Sequence, residues 1–485
     1  MSQINVSNLT FAYEGSYDNI FENVSFQIDT DWKLGFTGRN GKGKTTFLNL
    51  LQGKYEYSGH ISAAVNFQYF PYPTADKTQI TTAIVEEICP HYQDWQLSRE
   101  LSLLDISKDV LHRPFETLSS GEQTKVLLAA LFLGENNFLL IDEPTNHLDI
   151  AGRRIVSNYL NSKQGFILVS HDRAFLDGCI NHILSINKAN IEVQKGNFST
   201  WFANKERQDN FERLQNTKLK KQITQLEKAA RKNADLSDKM ETLTPLPGNA
   251  KEKGIRLMSK SKSIETRIKR ATDEKKELLK NLDHASDLSI TQLPYHKTEY
   301  LSLLDVSIFY GEKRVCSGVS FDVDQGDRIA LRGKNGSGKS SILKLICDID
   351  NITYTGDFTI GSSLKISYVS QDTSHLQGNL TDYAREHNID ESLFKAILRK
   401  LDFLRVQFEK DMRDFSGGQK KKVLIARSLC EKAHLLVWDE PLNFVDVLSR
   451  MQIERLLLEH KPTILFVEHD SVFCDAIATK TVMLD

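Results

Sequence analysis

The chain has 485 residues, 40% of them apolar and 26% charged, with a formal net charge of −2. That length exceeds what one hydrophobic core usually organises, and the composition is too apolar for a disordered chain, so at least two folded domains are expected. The near-neutral total excludes any argument for a polyanionic partner from net charge alone; such an argument has to come from where the charge sits. The six cysteines are dispersed without metal-ligand spacing, as expected of reduced thiols in a cytoplasmic protein. The N-terminus shows no secretory pattern, and no apolar run approaches the ~20 residues of a membrane span.

In chain order, Ile4, Val6 and Leu9 alternate as in a strand, and a second strand, Leu34 to Phe36, enters the loop Gly38-Arg-Asn-Gly-Lys-Gly-Lys-Thr45. A helix is predicted from Thr45 to Leu51. Further on come Leu118-Ser-Ser-Gly-Glu-Gln123, an apolar strand Phe138 to Ile141 ending in Asp142-Glu143, and a strand Phe166 to Val169 followed by His171. After a long charged stretch the series returns. Leu301, Leu303 and Val306 alternate, Ile329 to Leu331 enters Gly333-Lys-Asn-Gly-Ser-Gly-Lys-Ser340, and a helix follows to Ile346. Phe415-Ser-Gly-Gly-Gln-Lys420, the strand Leu435 to Trp438 with Asp439-Glu440, and Thr463 to Val467 with His469 complete the second copy. The matching motifs are 295 to 298 residues apart, which describes one α/β domain used twice.

A glycine loop between strand and helix is the context in which the GxxxxGK[ST] pattern is a phosphate cradle. Gly38, Gly41 and Gly43, with Asn40, and Gly333, Gly336 and Gly338, with Asn335, let backbone N–H groups turn inward, and the helix N-terminus adds a favourable dipole. Lys44 and Lys339 supply charge to the phosphates. Thr45 and Ser340 offer hydroxyls to Mg²⁺, and Thr46 and Ser341 follow them into the helix. Asp142 and Asp439, ending buried strands, are placed to hold Mg²⁺ through its water shell. Glu143 and Glu440 are the candidate catalytic groups that orient or deprotonate the attacking water. His171 and His469 end strands on the same sheet edge and are candidates to hydrogen-bond a γ-phosphate oxygen or that water. A lone histidine is more often structural, and it is the repetition that favours the functional reading. Tyr13 and Tyr310 precede the phosphate lysines by 31 and 29 residues and are candidates to stack on adenine, against the plainer reading of core aromatics.

With the serine-glycine signatures at Ser119 and Ser416, the set resembles the ATP-binding cassette superfamily over both halves. The resemblance implies cassettes facing head to tail, each ATP and its Mg²⁺ lying between one phosphate loop and the other cassette's signature. Site one then combines Lys44, Glu143 and His171 with Ser416, Gly418 and Gln419, and site two combines Lys339, Glu440 and His469 with Ser119 and Gly121. The family's metal-contacting glutamine is present as Gln371 in the second half, but Tyr72 stands at the matching place in the first. Ser120 stands where the second signature has Gly417, and Asn443-Phe-Val-Asp446 departs from Asn146-His-Leu-Asp149.

Between 205 and 285 glycine almost vanishes, and apolar residues recur at helical spacing (Leu219, Ile223, Leu226; Ile264, Ile268) around a break at Thr242-Leu-Thr-Pro-Leu-Pro-Gly-Asn249. An antiparallel helical hairpin is expected, within a linker of 205–290 that joins a first domain of 1–204 to a second of 291–485. The 205–285 window carries 21 Lys+Arg against 13 Asp+Glu, a net +8 that leaves the rest of the chain at −10. An ordinary solvated coiled coil accommodates such a pattern, but a phosphate backbone explains the excess better. The tip, about 240–258, places Met240, Leu243, Leu246 and Met258 beside Lys251, Lys253, Arg256 and Lys260, a mixture suited to contact with a partner.

Tandem cassettes, no membrane segment and a basic linker together resemble the ABC-F proteins. The resemblance implies a monomer that partners the 70S ribosome at its tRNA exit site, touching 23S rRNA and P-site tRNA through the linker tip, with neither membrane nor DNA as partner. The short first domain and the Asp-Glu-Pro-Leu-Asn-Phe-Val-Asp variant look like the Lsa/Vga-type resistance members, which relieve inhibition by lincosamides, pleuromutilins and streptogramin A compounds. A housekeeping translation factor is the alternative. A transporter ATPase subunit, a DNA-repair ATPase and a scaffold with inactive sites are the more distant ones.

Overall fold

The computed structural model describes residues 2–14, 19–146, 148–187, 190–242, 292–334, 336–349 and 351–484. Two compact units emerge: Met1–Ser199 together with Asp287–Asp485, and Thr200–Ser286. The first unit holds both copies of the repeat.

In the first cassette, β1 (Gln3–Phe11), β2 (Phe21–Asp29) and β4 (Ser58–Ser62) form a small antiparallel sheet in the order β2-β1-β4. The larger sheet has the order β5-β6-β7-β3-β8-β9, built from β3 (Lys33–Thr37), β5 (Asn66–Phe70), β6 (Asn137–Asp142), β7 (Phe166–Val169), β8 (His182–Asn187) and β9 (Asn190–Lys195). It is parallel except for the last pair, β8 and β9. Strands β6 and β7 are near-continuous apolar runs because helices cover both faces of a parallel sheet. The core fills the space between the two sheets, where Ile4, Leu34, Phe36, Phe47, Phe138 and Ile167 pack together.

The second cassette repeats the plan. Strands β10 (Glu299–Tyr310), β11 (Lys313–Asp324) and β13 (Thr353–Ile360) pair in the order β11-β10-β13. A five-stranded parallel sheet orders β14 (Ile366–Val369), β15 (Leu435–Asp439), β16 (Ile464–Val467), β12 (Arg328–Gly333) and β17 (Lys480–Leu484). Trp438, fully buried in β15, donates its indole N–H to Ser428 Oγ at 2.9 Å, so the largest ring of the core leaves no donor unpaired.

Helices predicted after the glycine loops form as α1 (Lys44–Leu51) and, in the second copy, Lys339–Ile346. Helix α4 (Ser120–Leu131) and its counterpart Gly417–Cys430 begin at the serine-glycine signatures. Helix α5 (Ile150–Asn161) and its counterpart Val447–His460 follow Asp149 and Asp446, whose carboxylates cap them. Asp446 is fully buried, and beyond capping Ser449 N–H at 3.0 Å it accepts from Lys422 Nζ at 2.9 Å.

A 45-residue helix, α7, runs from Phe198 to Thr242, continuous through Leu219 and Ile223 as the spacing predicts. The expected break, the return helix and the tip residues Leu243, Leu246, Lys251, Lys253, Arg256, Met258 and Lys260 lie outside the described residues, and Met240 falls within α7 with its side chain undescribed. Among the described residues no helix is long and apolar enough to cross a membrane.

Removing one partner of a buried ion pair strands the other charge. Lys422→Ala is therefore expected to destabilise the second cassette by about 3–5 kcal/mol, read as a lowered midpoint in denaturant unfolding. Lys125→Ala, the same change at the matching position of the first signature helix, provides the comparison.

Candidate nucleotide-binding sites

In both copies the loop glycine before the lysine has left-handed geometry: Gly43 at φ 94° and Gly338 at φ 89°. A Cβ there would stand 2.5 Å from Ile20 or 2.9 Å from Cys316, so only glycine fits. The turn curls the loop so that Lys44 Nζ donates to the carbonyls of Gly38 (2.7 Å) and Arg39 (3.2 Å) and to Asn40 Oδ1 (3.3 Å). Lys339 Nζ donates likewise to the carbonyls of Gly333 (2.9 Å) and Lys334 (2.7 Å). Burial lowers both ammonium pKa values, opposed by the nearby carboxylates. Phosphate oxygens would meet a cation already desolvated, with the loop carbonyls as its exchangeable partners. Gly41 and Gly336 lie in the same turns; Asn335 is outside the described residues.

Thr45 Oγ1 donates to Asp142 Oδ2 at 3.2 Å, and Ser340 Oγ to Asp439 Oδ1 at 3.0 Å. Tyr69 also donates to Asp142 Oδ2, at 2.9 Å. Burial raises the pKa of both aspartates. One hydroxyl and one carboxylate, hard oxygen donors, suit Mg²⁺ shared with substrate phosphates better than a cation caged by protein alone. Among the described residues, no group of three or more His, Cys, Asp or Glu side chains stands ready as such a cage.

Glu143 and Glu440 follow at φ 52° and 46°, a strained conformation held by Glu143 N–H on Val169 O (2.9 Å) and Glu440 N–H on Val467 O (3.1 Å). Each glutamate faces its histidine, with His171 Nε2 3.2 Å from Glu143 Oε1 and His469 Nε2 3.4 Å from Glu440 Oε1. The copies then diverge. Glu440 Oε2 accepts from Gln371 Nε2 (2.8 Å) and Asn443 Nδ2 (2.6 Å). Burial raises its pKa, but these bonds and His469 outweigh it and hold the carboxyl below its usual range. Both oxygens of Glu143 are shut off from solvent and accept from no side-chain amide; the backbone N–H of His171 faces the carboxylate. Burial, then the charge of Asp142, pushes its pKa up to about 8. Tyr72, which stands where Gln371 does in the second copy, turns its hydroxyl to Glu87 at 3.1 Å. His171 is held well below its usual pKa by burial and by the charges of Lys44 and Arg450, so it is neutral.

Tyr13 and Tyr310 are more than two-fifths exposed, which leaves their rings open to a base; Tyr13 is fixed by its hydroxyl on Thr46 Oγ1 at 2.8 Å. Ser341 lines the second site. Ser119 and Ser416 cap their signature helices, reciprocated by Glu122 and Gln419 side chains on the capping residues' own N–H groups at 2.8 and 2.9 Å. Gly121 lies in the first turn of α4.

The two copies meet across these sites. A cavity of about 410 Å³ is lined from the second cassette by Lys339, Ser340, Gln371, Glu440 and His469, and from the first by Ser120, Asn146, Leu148 and Arg153. At the other site, Asn40 Nδ2 donates to Phe444 O at 2.8 Å, and Arg39 pairs with Asp402 at 2.7 Å. Gly418 packs so tightly on that carbonyl that a Cβ would sit 2.3 Å from it. A Cβ at Gly417 meets nothing closer than 3.5 Å, so Ser120, the residue at the matching place in the first signature, is sterically admitted.

The sequence reading did not single out Tyr69, Asn443 as a ligand of Glu440, or Arg153. A signal existed for the arginine, because Arg153 and Arg450 recur at the 297-residue offset of the acidic motif.

Two composite phosphate sites on duplicated α/β domains define a class, and comparison with known proteins identifies it. The ABC transporter family model matches residues 21–146 and 316–443, just over half of the chain, which therefore belongs to the ATP-binding cassette family. The ribosome protection protein VmlR of Bacillus subtilis (strain 168) is 27% identical over 493 residues, spanning 98% of this chain and 85% of that protein. The ATP-binding protein Uup of Buchnera aphidicola is 25% identical over 503 residues, 99% of this chain and 80% of that protein. Within the family the chain is an ABC-F protein, similar to the Lsa/Vga-type resistance members. The archaeal ribosome recycling factor aABCE1, solved with the stalk protein aP1, shares the fold at a TM-score of 0.64 and 18% identity, over 98% of this chain and 87% of that one.

Gly418→Ala is expected to displace the Phe444 carbonyl and so break its hydrogen bond from Asn40 of the other cassette, raising the half-saturating concentration of a fluorescent ATP analogue about tenfold, equivalent to ~1.4 kcal/mol. Gly417→Ala should bind as the wild type does.

Proposed function

We propose that the chain hydrolyses ATP at two sites shared between its cassettes, and that closure on ATP drives the linker's action on the ribosome. The observation that carries the first part is the cavity in which Lys339, Glu440 and His469 face Ser120 and Arg153 of the other copy. There the lysine binds β and γ phosphates, and the signature helix N-terminus stabilises their charge. Glu440, oriented by Gln371 and Asn443, takes a proton from the attacking water at Oε1 or Oε2, and His469 fixes the γ-phosphate end. Bound Mg²⁺, held through Ser340 and Asp439, would neutralise charge on the phosphates. Site one has the same parts through Lys44, Thr45, Asp142, Glu143 and His171, but its glutamate lacks the side-chain amide donors that Glu440 has.

The ribosomal part rests on likeness to VmlR along 98% of the chain and on the net charge of +8 in the 205–285 window. In this reading the protein occupies the tRNA exit site, its linker meets 23S rRNA and P-site tRNA, and its tip shifts the drug pocket for lincosamides, pleuromutilins and streptogramin A compounds. It acts as a cytoplasmic monomer.

The double variant Glu143→Gln, Glu440→Gln is expected to be trapped on ribosomes with ATP and to pellet with them. Deletion of 242–257 from that variant should leave pelleting intact, and the same deletion in the wild-type chain should abolish drug relief in a susceptible host. Failure to pellet would remove the ribosomal reading; pelleting without drug relief by the wild type would favour a housekeeping translation factor.

Because only Glu440 is oriented by side-chain amides, Glu440→Gln should cut steady-state turnover by about 100-fold or more, and Glu143→Gln by much less. Equal losses in a phosphate-release assay would contradict this asymmetry.

A further inference from the structure

Arg153 belongs to none of the phosphate-binding motifs, yet it touches both cassettes. Its Nε donates to Leu148 O at 3.1 Å, which fixes the side chain over its own acidic-motif loop. Its Nη1 then donates twice: to Asp172 Oδ2 at 2.9 Å in the first cassette, and to His469 O at 3.1 Å in the second. Asp172 follows His171 and caps the next helix through Phe175 N–H at 3.0 Å. One guanidinium nitrogen therefore joins the segment carrying the histidine of site one to the residue that faces Glu440 in site two.

The side chain is largely buried, with 12% of its surface exposed, so its hydrogen bonds compete little with water. Its repeat counterpart is built alike. Arg450 Nε donates to Val445 O at 2.9 Å and Nη1 to Asp470 Oδ2 at 3.3 Å.

We propose that Arg153 is a positioning residue that couples the two ATP sites, holding the His469 backbone of site two in register with the His171–Asp172 segment of site one. The proposal rests on the reading that both sites bind ATP. Phosphate contact at His171 moves Asp172, Asp172 moves the guanidinium, and the guanidinium moves the His469 carbonyl. Both segments have two arrangements available only if the shared nitrogen serves both acceptors in one and releases one of them in the other.

The test measures ATP turnover against ATP concentration for the full chain and its R153K and R153Q variants, with thermal midpoints recorded for each. The wild type is expected to respond with a Hill coefficient above 1. R153Q should fall to 1, with the half-saturating ATP concentration raised at least about fivefold, the low end of ordinary coupling between sites. R153K should be intermediate, because an ammonium keeps the charge but lacks the planar fork that serves several acceptors at once. If R153Q does not fold, the R153K result decides alone. A wild-type Hill coefficient of 1, or a variant that loses turnover or thermal stability while its Hill coefficient stays at the wild-type value, would overturn the proposal. A wild-type chain that fails to bind a fluorescent ATP analogue would overturn the ATP reading itself, and this proposal with it.

Discussion

The parallel pairing of β6, β7 and β3 is the constraint on which both sites depend. Parallel strands end together, so the glycine loop after β3, the Asp-Glu pair after β6 and the histidine after β7 arrive at one sheet edge although they come from distant parts of the chain. The ladder also extends one residue beyond the strand: Glu143 N–H on Val169 O holds the glutamate in its left-handed conformation, and Glu440 does the same on Val467. Strain at the acidic group is thereby sustained by the sheet.

Duplication copies this edge, and head-to-tail contact turns two half-sites into two whole ones. The copies share the fold more closely than the chemistry. Glu143 is buried without side-chain amide donors, whereas Glu440 has two, Gln371 and Asn443; Tyr72 takes the place of the first, while Asn146, the counterpart of the second, is unchanged. In a site of low polarity, an unsolvated carboxylate without donors is the protonated form's advantage, and donors restore the anion. The same sheet edge thus supports two glutamates of opposite disposition.

Much of this was legible in the sequence, and the reason is contiguity. The cradle, the Asp-Glu pairs, the capping serines and the repeat are each written in a few consecutive residues, and the strands before them announce themselves by apolar runs. The Tyr72 departure was visible too, though its consequence, a hydroxyl turned to Glu87, required the neighbours in space. What was not legible joins residues far apart: Asn40 to Phe444 across 404 positions, and Arg153 to His469 across 316. Helix α7 also starts ahead of the charged stretch, because Phe198 to Lys205, aromatic and mixed in character, is already helical. No local pattern distinguishes an arginine that caps its own loop from one that also reaches another domain.

Helix α7 carries a mechanical consequence of its own. Its first residues belong to the ATPase body, where Ser199 N–H donates to Asp177 Oδ1 at 2.9 Å, just beyond the segment of His171 and Asp172. Forty-five residues without a break, at 1.5 Å each, make a rod about 68 Å long. A lever of that length multiplies angle into distance, and a tilt of about 5° at the root carries the far end about 6 Å, roughly one helical turn.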